Sequence, residues 1–210
     1  FDFDILLTGH QHMPLADTII NGTHVVQTPQ RASSYVKVEL NLNDEGLINL
    51  WNLEEFDDSD WGEFVIPGMW KDTCLDKVNG SVWFRKEIFL SDEAASYNAK
   101  LYLGSIIDSD EVYVNGVLVG KTEYRYPPRI YKVDNEILKV GRNIITIRVM
   151  SNTGIGGFIK DKQYKLAFEN EEIDLSGGWK YKIGHRMDFN YDKLKVQPEM
   201  TTGTRYQKDK

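Results

Sequence analysis

The sequence predicts an all-β protein whose main body is a sandwich, and three observations predict it. Helical periodicity is almost absent, so neither a bundle nor an α/β layer is indicated. The apolar runs are short, β-branched or aromatic, and several alternate as half-buried strands do. Between them stand Asn-Gly, Gly-Gly and Asp-rich turns at spacings that suit hairpins. The chain has 210 residues, 41% apolar and 12% aromatic. That length can bury a sizeable core, and two domains are expected.

The first strands expected are DILLTG (4–9), THVVQT (23–28), YVKVELNL (35–42) and LINLWNL (47–53). In the third, Val36, Val38, Leu40 and Leu42 alternate onto one face. The acidic, turn-rich EEFDDSDWG follows and sets a boundary, giving domains 1–53 and 54–187. After it come WFRKEIFL, AKLYLGSI, EVYVNGVLVG, RIYKV, NIITIRVM and YKLAFEN. VYVNGVLVG is the clearest hairpin, because Asn115-Gly116 supplies the two positive-φ residues of a type I′ turn. DEAASYNA is expected to make one helical turn, and ILKVGRN a turn ahead of a strand. From residue 188 to 210 the chain is polar and reads as a tail or as the start of a neighbouring domain.

A net charge of −7 with no Lys/Arg cluster argues against a nucleic-acid partner, and no apolar run is long enough for a bilayer span. The single cysteine, Cys74, has no partner for an internal disulfide, so packing must hold the fold. The opening residues look like a core strand, so the chain is expected to come from the middle of a longer reading frame.

Two motifs carry chemistry. Gly9-His10-Gln11-His12 follows an apolar strand, and a turn there can aim two imidazoles at one point. A lone His-x-His is otherwise a surface pair or a satisfied loop histidine. EYRYPPR, with Tyr124, Arg125, Tyr126 and Arg129, offers aromatic faces and cations for sugar rings and hydroxyls. Its bland reading is a proline-stiffened crossover whose tyrosines cover the sandwich edge. Arg85, between aromatics in WFRKEIF, is a cation–π partner, a salt-bridge anchor or a ligand contact. Trp61, Trp70, Trp83 and Phe84 read as core filler, and His24 and His185 as structural or exposed.

Gly-His-Gln-His with TIINGTHVVQTPQRASSYVKVELNLNDEG resembles the C-terminal part of calcineurin-like metallophosphoesterases, over residues 2–51. That resemblance implies strands of a truncated αββα fold, with His10 and His12 as ligands to a divalent metal, Mn, Zn or Fe. The family's remaining ligands lie upstream of this motif and are not in the chain. DDSDWGEFVIPGMW, NGSVWFRKEIFL, LYLGSIIDSDEVYVNGVLVG, LKVGRNIITIRVM, GIGGF and IDLSGGWKYKIG together resemble the galactose-binding-like jelly-roll β-sandwich of sialate O-acetylesterases. More distantly they resemble the sugar-binding domain of β-galactosidase-type enzymes.

The second resemblance implies a non-catalytic region that shapes a sugar-ester site, with carbohydrate as partner and Arg85, Tyr124, Arg125, Tyr126 and Arg129 as its contacts. The catalytic domain would be supplied in cis or in trans, in an extracytoplasmic setting. The serines stand in turns without a paired histidine and acid, so no catalytic set is expected within the chain. The alternatives are a metal-dependent phosphoesterase end with an appended binding module, and a lectin-like module. Strands 1–50, cut from a larger sheet, would leave edges open to disorder or to pairing between copies.

Overall fold

The computed structural model describes residues 5–8, 15–20, 23–27 and 44–187. The chain divides into two compact units, Leu42–Asp188 and the remainder. Within the remainder, β1 (Ile5–Thr8), β2 (Leu15–Ile20) and β3 (Thr23–Gln27) form a sheet in the order β1-β3-β2. β1 runs parallel to β3, and β2 antiparallel to it with Ile20 opposite Thr23. His24 lies on β3, paired with Ile5 and Ile19. The expected strand at 35–42 lies outside the described residues, as do His10, His12 and the segment 188–210.

The larger unit is an antiparallel β-sandwich. Its six-stranded sheet has the order β4-β15-β5-β11-β8-β9, built from β4 (Gly62–Ile66), β5 (Gly80–Leu90), β8 (Ser109–Val114), β9 (Val117–Thr122), β11 (Gly141–Ser151) and β15 (Gly177–Arg186). Facing it is a four-stranded sheet, β10-β6-β13-β14, from β6 (Ala99–Leu103), β10 (Ile130–Val133), β13 (Tyr164–Ala167) and β14 (Glu172–Asp174). A short pair, β7 (Ile106–Ile107) with β12 (Gly157–Phe158), closes one end. The period-two pattern explains the packing. Val82, Phe84, Ile88 and Leu90 of β5 and Ile145, Ile147 and Val149 of β11 turn one way, toward Leu101, Leu103, Tyr164 and Leu166 of the opposite sheet. Each such side chain stabilises by about 1.5–3 kcal/mol when fully buried. Phe84 adds edge-to-face contacts with Phe158 at 5.1 Å and Phe64 at 5.5 Å.

Local chemistry sets the connections. Asn115 (φ 50°) and Gly116 (φ 83°) close the β8–β9 hairpin as the type I′ pattern requires. Asn115 also binds outward from the turn, its Nδ2 donating to Ile137 O at 2.9 Å and its Oδ1 accepting from Ile144 N at 2.8 Å. The helical turn expected in DEAASYNA is α2 (Asp92–Ala95), capped by Ser91 Oγ accepting from Ala94 N.

LINLWNL is not a strand. Asp44 caps a helical turn, α1 (Glu45–Ile48), its side chain accepting from Gly46 N, and turns follow through residue 55. Leu47, Ile48, Leu50 and Leu53 are exposed, and Trp51 alone is buried. The segment 44–61 lies as a third layer over the outer face of the six-stranded sheet. There Trp51, Trp61 and Trp83 form a second small core with Phe56 and Tyr113 against it. Residues 44–53 fall in the same compact unit as the sandwich.

Candidate functional site

Arg85 sits under the third layer, its side chain fully buried. Its Nε donates to Asp58 Oδ2 at 2.8 Å, one terminal nitrogen to Trp51 O and Leu53 O at 2.5 and 2.9 Å, and the other to Phe56 O at 3.4 Å. Its guanidinium carbon lies 5.7 Å from the Phe56 ring centre and 6.0 Å from that of Trp61. These contacts tie residues 51–61 to the sheet. In the cleft beside it Lys180 pairs with Asp58 and Arg142 with Glu87, while Lys86 donates to the Gly178 carbonyl at 2.9 Å. Arg85 is a structural anchor, the salt-bridge and cation–π reading rather than the ligand one.

Arg129 is buried as completely. Nε donates to Asp110 Oδ1 at 2.6 Å, and the terminal nitrogens donate to the carbonyls of Arg125, Pro127 and Asp108. Burial pushes the Asp110 carboxyl up from its ordinary value, and Arg129 offsets only part of that. The pair fixes the 124–129 loop: Arg129 grips the loop's own carbonyls and anchors them to β8. Tyr131 adds its hydroxyl to Asp110 Oδ2 at 2.7 Å.

What the anchor holds out is different in kind. Tyr124 and Tyr126 are 60% and 77% exposed, with ring centres 6.4 Å apart, and Arg125 lies over the Tyr126 ring at 5.6 Å. Tyr126 and Pro128 form one wall of an open groove of about 340 Å³. Tyr102, Ser105, Lys162 and Gln163 line it as well. Tyr102 points outward because Leu101 and Leu103, its neighbours on β6, point into the core. Thus of the five candidate contacts the structure brings Tyr124, Arg125 and Tyr126 to the surface beside the groove, and buries Arg85 and Arg129 as supports.

Tyr102, Lys162 and Gln163 escaped the sequence reading. Tyr102 had a signal, the alternation of AKLYL. Lys162 and Gln163 had none, because only the β6–β13 pairing, with Tyr164 opposite Leu103, carries them to this place.

His10 and His12 lie outside the described residues, so the metal reading of that pair has no geometry to stand on. Among the described residues no group of three or more His, Cys, Asp or Glu side chains could hold a metal ion.

No protein-family model matches the chain. Over 108 residues it is 28% identical to the "Putative beta-glucuronidase" of Formosa agariphila, a match covering 46% of this chain and 10% of that protein. Among solved structures it is similar to a Bacteroides uniformis beta-glucuronidase, at 19% identity and a TM-score of 0.45 over 62% of this chain and 15% of that one. It is also similar to the Ruminococcus gnavus beta-glucuronidase, at 14% identity and a TM-score of 0.47 over 70% and 38%. The chain thus spans about a tenth of the curated relative's length. Neither this relative nor these structures is named as a sialate esterase or a metallophosphoesterase.

Proposed function

We propose that residues 44–187 are a non-catalytic, carbohydrate-associated β-sandwich belonging to a larger glycoside hydrolase, where they support or shape a sugar site formed with other domains. The observation that carries this reading is the 28% identity over 108 residues to a segment making up a tenth of a protein named as a glucuronidase. The side chains agree with it. The buried charged groups, Arg85, Arg129 and Arg148, bind backbone and carboxylates that hold the sandwich together, and the groove beside Tyr126 has the tyrosines and polar groups of a saccharide surface. The sugar-ester reading has no comparable observation behind it.

The test uses the whole 210-residue chain. Incubated with para-nitrophenyl β-glucuronide and para-nitrophenyl acetate, it is expected to release no nitrophenol above a heat-denatured control. In saturation-transfer NMR against a panel of oligosaccharides, at least one ligand is expected to show transfer. Turnover of the glucuronide would overturn the non-catalytic assignment, and silence across the panel would overturn the carbohydrate one.

A further inference from the structure

The groove lined by Tyr126 and Lys162 is free of carboxylates on an acidic molecule. The chain carries 32 acidic and 25 basic residues, yet no carboxylate lines this groove. Its charged linings are Lys162 and the backbone-locked Arg129, and Arg125 stands at the rim over Tyr126. Arg129 is neutralised by Asp110, whereas among the described residues neither Lys162 nor Arg125 is in an ion pair. Five surface cations elsewhere do have carboxylate partners, Lys132 with Asp134, Lys139 with Glu54, Arg142 with Glu87, Lys165 with Glu172 and Lys182 with Asp60, whereas Lys71, Lys77, Lys100, Lys160 and Arg186 have none among the described residues; what marks the groove is that its cations stand where no carboxylate lines the wall.

The walls are also held in place. Tyr126 and Pro128 flank carbonyls that Arg129 grips, and Tyr102 lies on a strand between two buried leucines, with the Lys165 ammonium 5.6 Å from its ring centre. A volume of about 340 Å³ is at the small end of ligand sites and suits one or two pyranose rings.

From this geometry we infer that the groove is a subsite for an acidic saccharide, a uronate or similarly anionic pyranose unit. Tyr126 and Tyr102 present rings to the apolar face of the sugar, Gln163 and Ser105 offer hydrogen bonds to hydroxyls, and Lys162 with Arg125 meets the carboxylate. The inference rests on the carbohydrate reading above and sharpens it by naming the ligand's charge and its place.

The experiment is a calorimetric or NMR titration of the whole chain with cellobiouronic acid and, in parallel, with neutral cellobiose. The acid is expected to bind at least about fivefold more tightly than cellobiose, and the gap is expected to shrink in high salt and in Lys162→Gln. Tyr126→Ala is expected to weaken both ligands by about tenfold. Both side chains are exposed, so the variants keep the fold, and unchanged far-UV circular dichroism and melting would verify this. Equal affinity for acid and neutral sugar overturns the charge assignment. Saccharide binding that survives both substitutions overturns the groove and leaves the carbohydrate-associated sandwich standing. Binding of neither disaccharide, while another oligosaccharide does bind, overturns the subsite alone, and silence toward every sugar overturns both.

Discussion

The two outer faces of the sandwich use the same residue types to opposite ends. On the six-stranded sheet, Trp83, Tyr113, Arg85 and Arg148 are covered by residues 44–61, and their polar atoms have partners inside the chain. On the side of the four-stranded sheet, Tyr102, Tyr124, Tyr126, Arg125 and Lys162 are at least partly open to solvent, and the two cations named last have no carboxylate partner among the described residues. An aromatic next to an arginine is therefore no marker of a sugar site by itself. What separates the two faces is whether the cation's donors are already occupied, because a fully satisfied guanidinium has nothing left to offer a ligand.

The largest effect that would test this contrast comes from the centre of the covered face. Trp83 is completely buried, stacked on Tyr113 at 6.1 Å, and donates from Nε1 to Asp44 Oδ1 at 2.9 Å. The Gly46 backbone lies so close against its indole that a Cβ there has no room. Trp83→Ala is expected to lower unfolding free energy by about 3–5 kcal/mol in urea titrations, leaving a large void and taking from Asp44 Oδ1 one of its two donors, so that only Gly46 N remains. A loss near 1 kcal/mol would mean that the 44–61 layer packs loosely and leaves the covered face accessible.

The asymmetry also explains what could be read in the sequence. The sandwich was legible because its strands obey a local rule: alternation in WFRKEIFL and NIITIRVM and the Asn115-Gly116 turn each specify their own conformation. LINLWNL only imitated a strand in composition. Its apolar residues read as a short strand although Asn49 and Asn52 break any alternation, but Asp44 two residues before Gly46 is an N-cap, and Leu50 takes a positive φ of 54° that no strand allows. The cap was the overlooked signal. The fates of Arg85 and Arg129 were not legible, since each is decided by partners brought from 27 and 19 residues away, Asp58 and Asp110. The groove was half legible, for the same reason: EYRYPPR is contiguous, whereas Lys162 arrives through sheet pairing.

A smaller effect isolates the electrostatics of the covered face. Burial alone would raise the Asp44 carboxyl, but the neighbouring Ser81 hydroxyl, the Arg148 charge and the Trp83 and Arg148 donors hold it below its ordinary 3.8. A carboxyl more acidic folded than unfolded stabilises the fold above its unfolded pKa and loses that contribution as pH falls through the folded value. Asp44→Asn is therefore expected to cost about 2 kcal/mol at neutral pH, with Arg148 left facing only Glu111. The stability gap between wild type and variant should be flat from pH 7 to 5 and should narrow only below about 4. Asp110 runs the other way: its raised carboxyl gains relative stability as pH falls, so total stability would blur the two and only the difference against Asp44→Asn separates them. A gap unchanged at pH 3 would show that Asp44 is not held as the anion that the covered face requires.

The smallest expected change is the most discriminating. Tyr126 is 77% exposed, touches Tyr124 edge-on and stacks under Arg125, and makes no side-chain hydrogen bond within the described residues. Removing such a ring gives up little buried area and no buried partner, so Tyr126→Ala is expected to shift unfolding free energy by less than about 0.5 kcal/mol. A residue whose removal leaves stability untouched but weakens saccharide binding is one the fold supports without depending on it. Should Tyr126→Ala instead cost 2 kcal/mol or more in the same urea titration, the ring would be covering the sandwich edge. The loop would then belong with Trp83 and Arg85, among the aromatics and arginines that serve architecture.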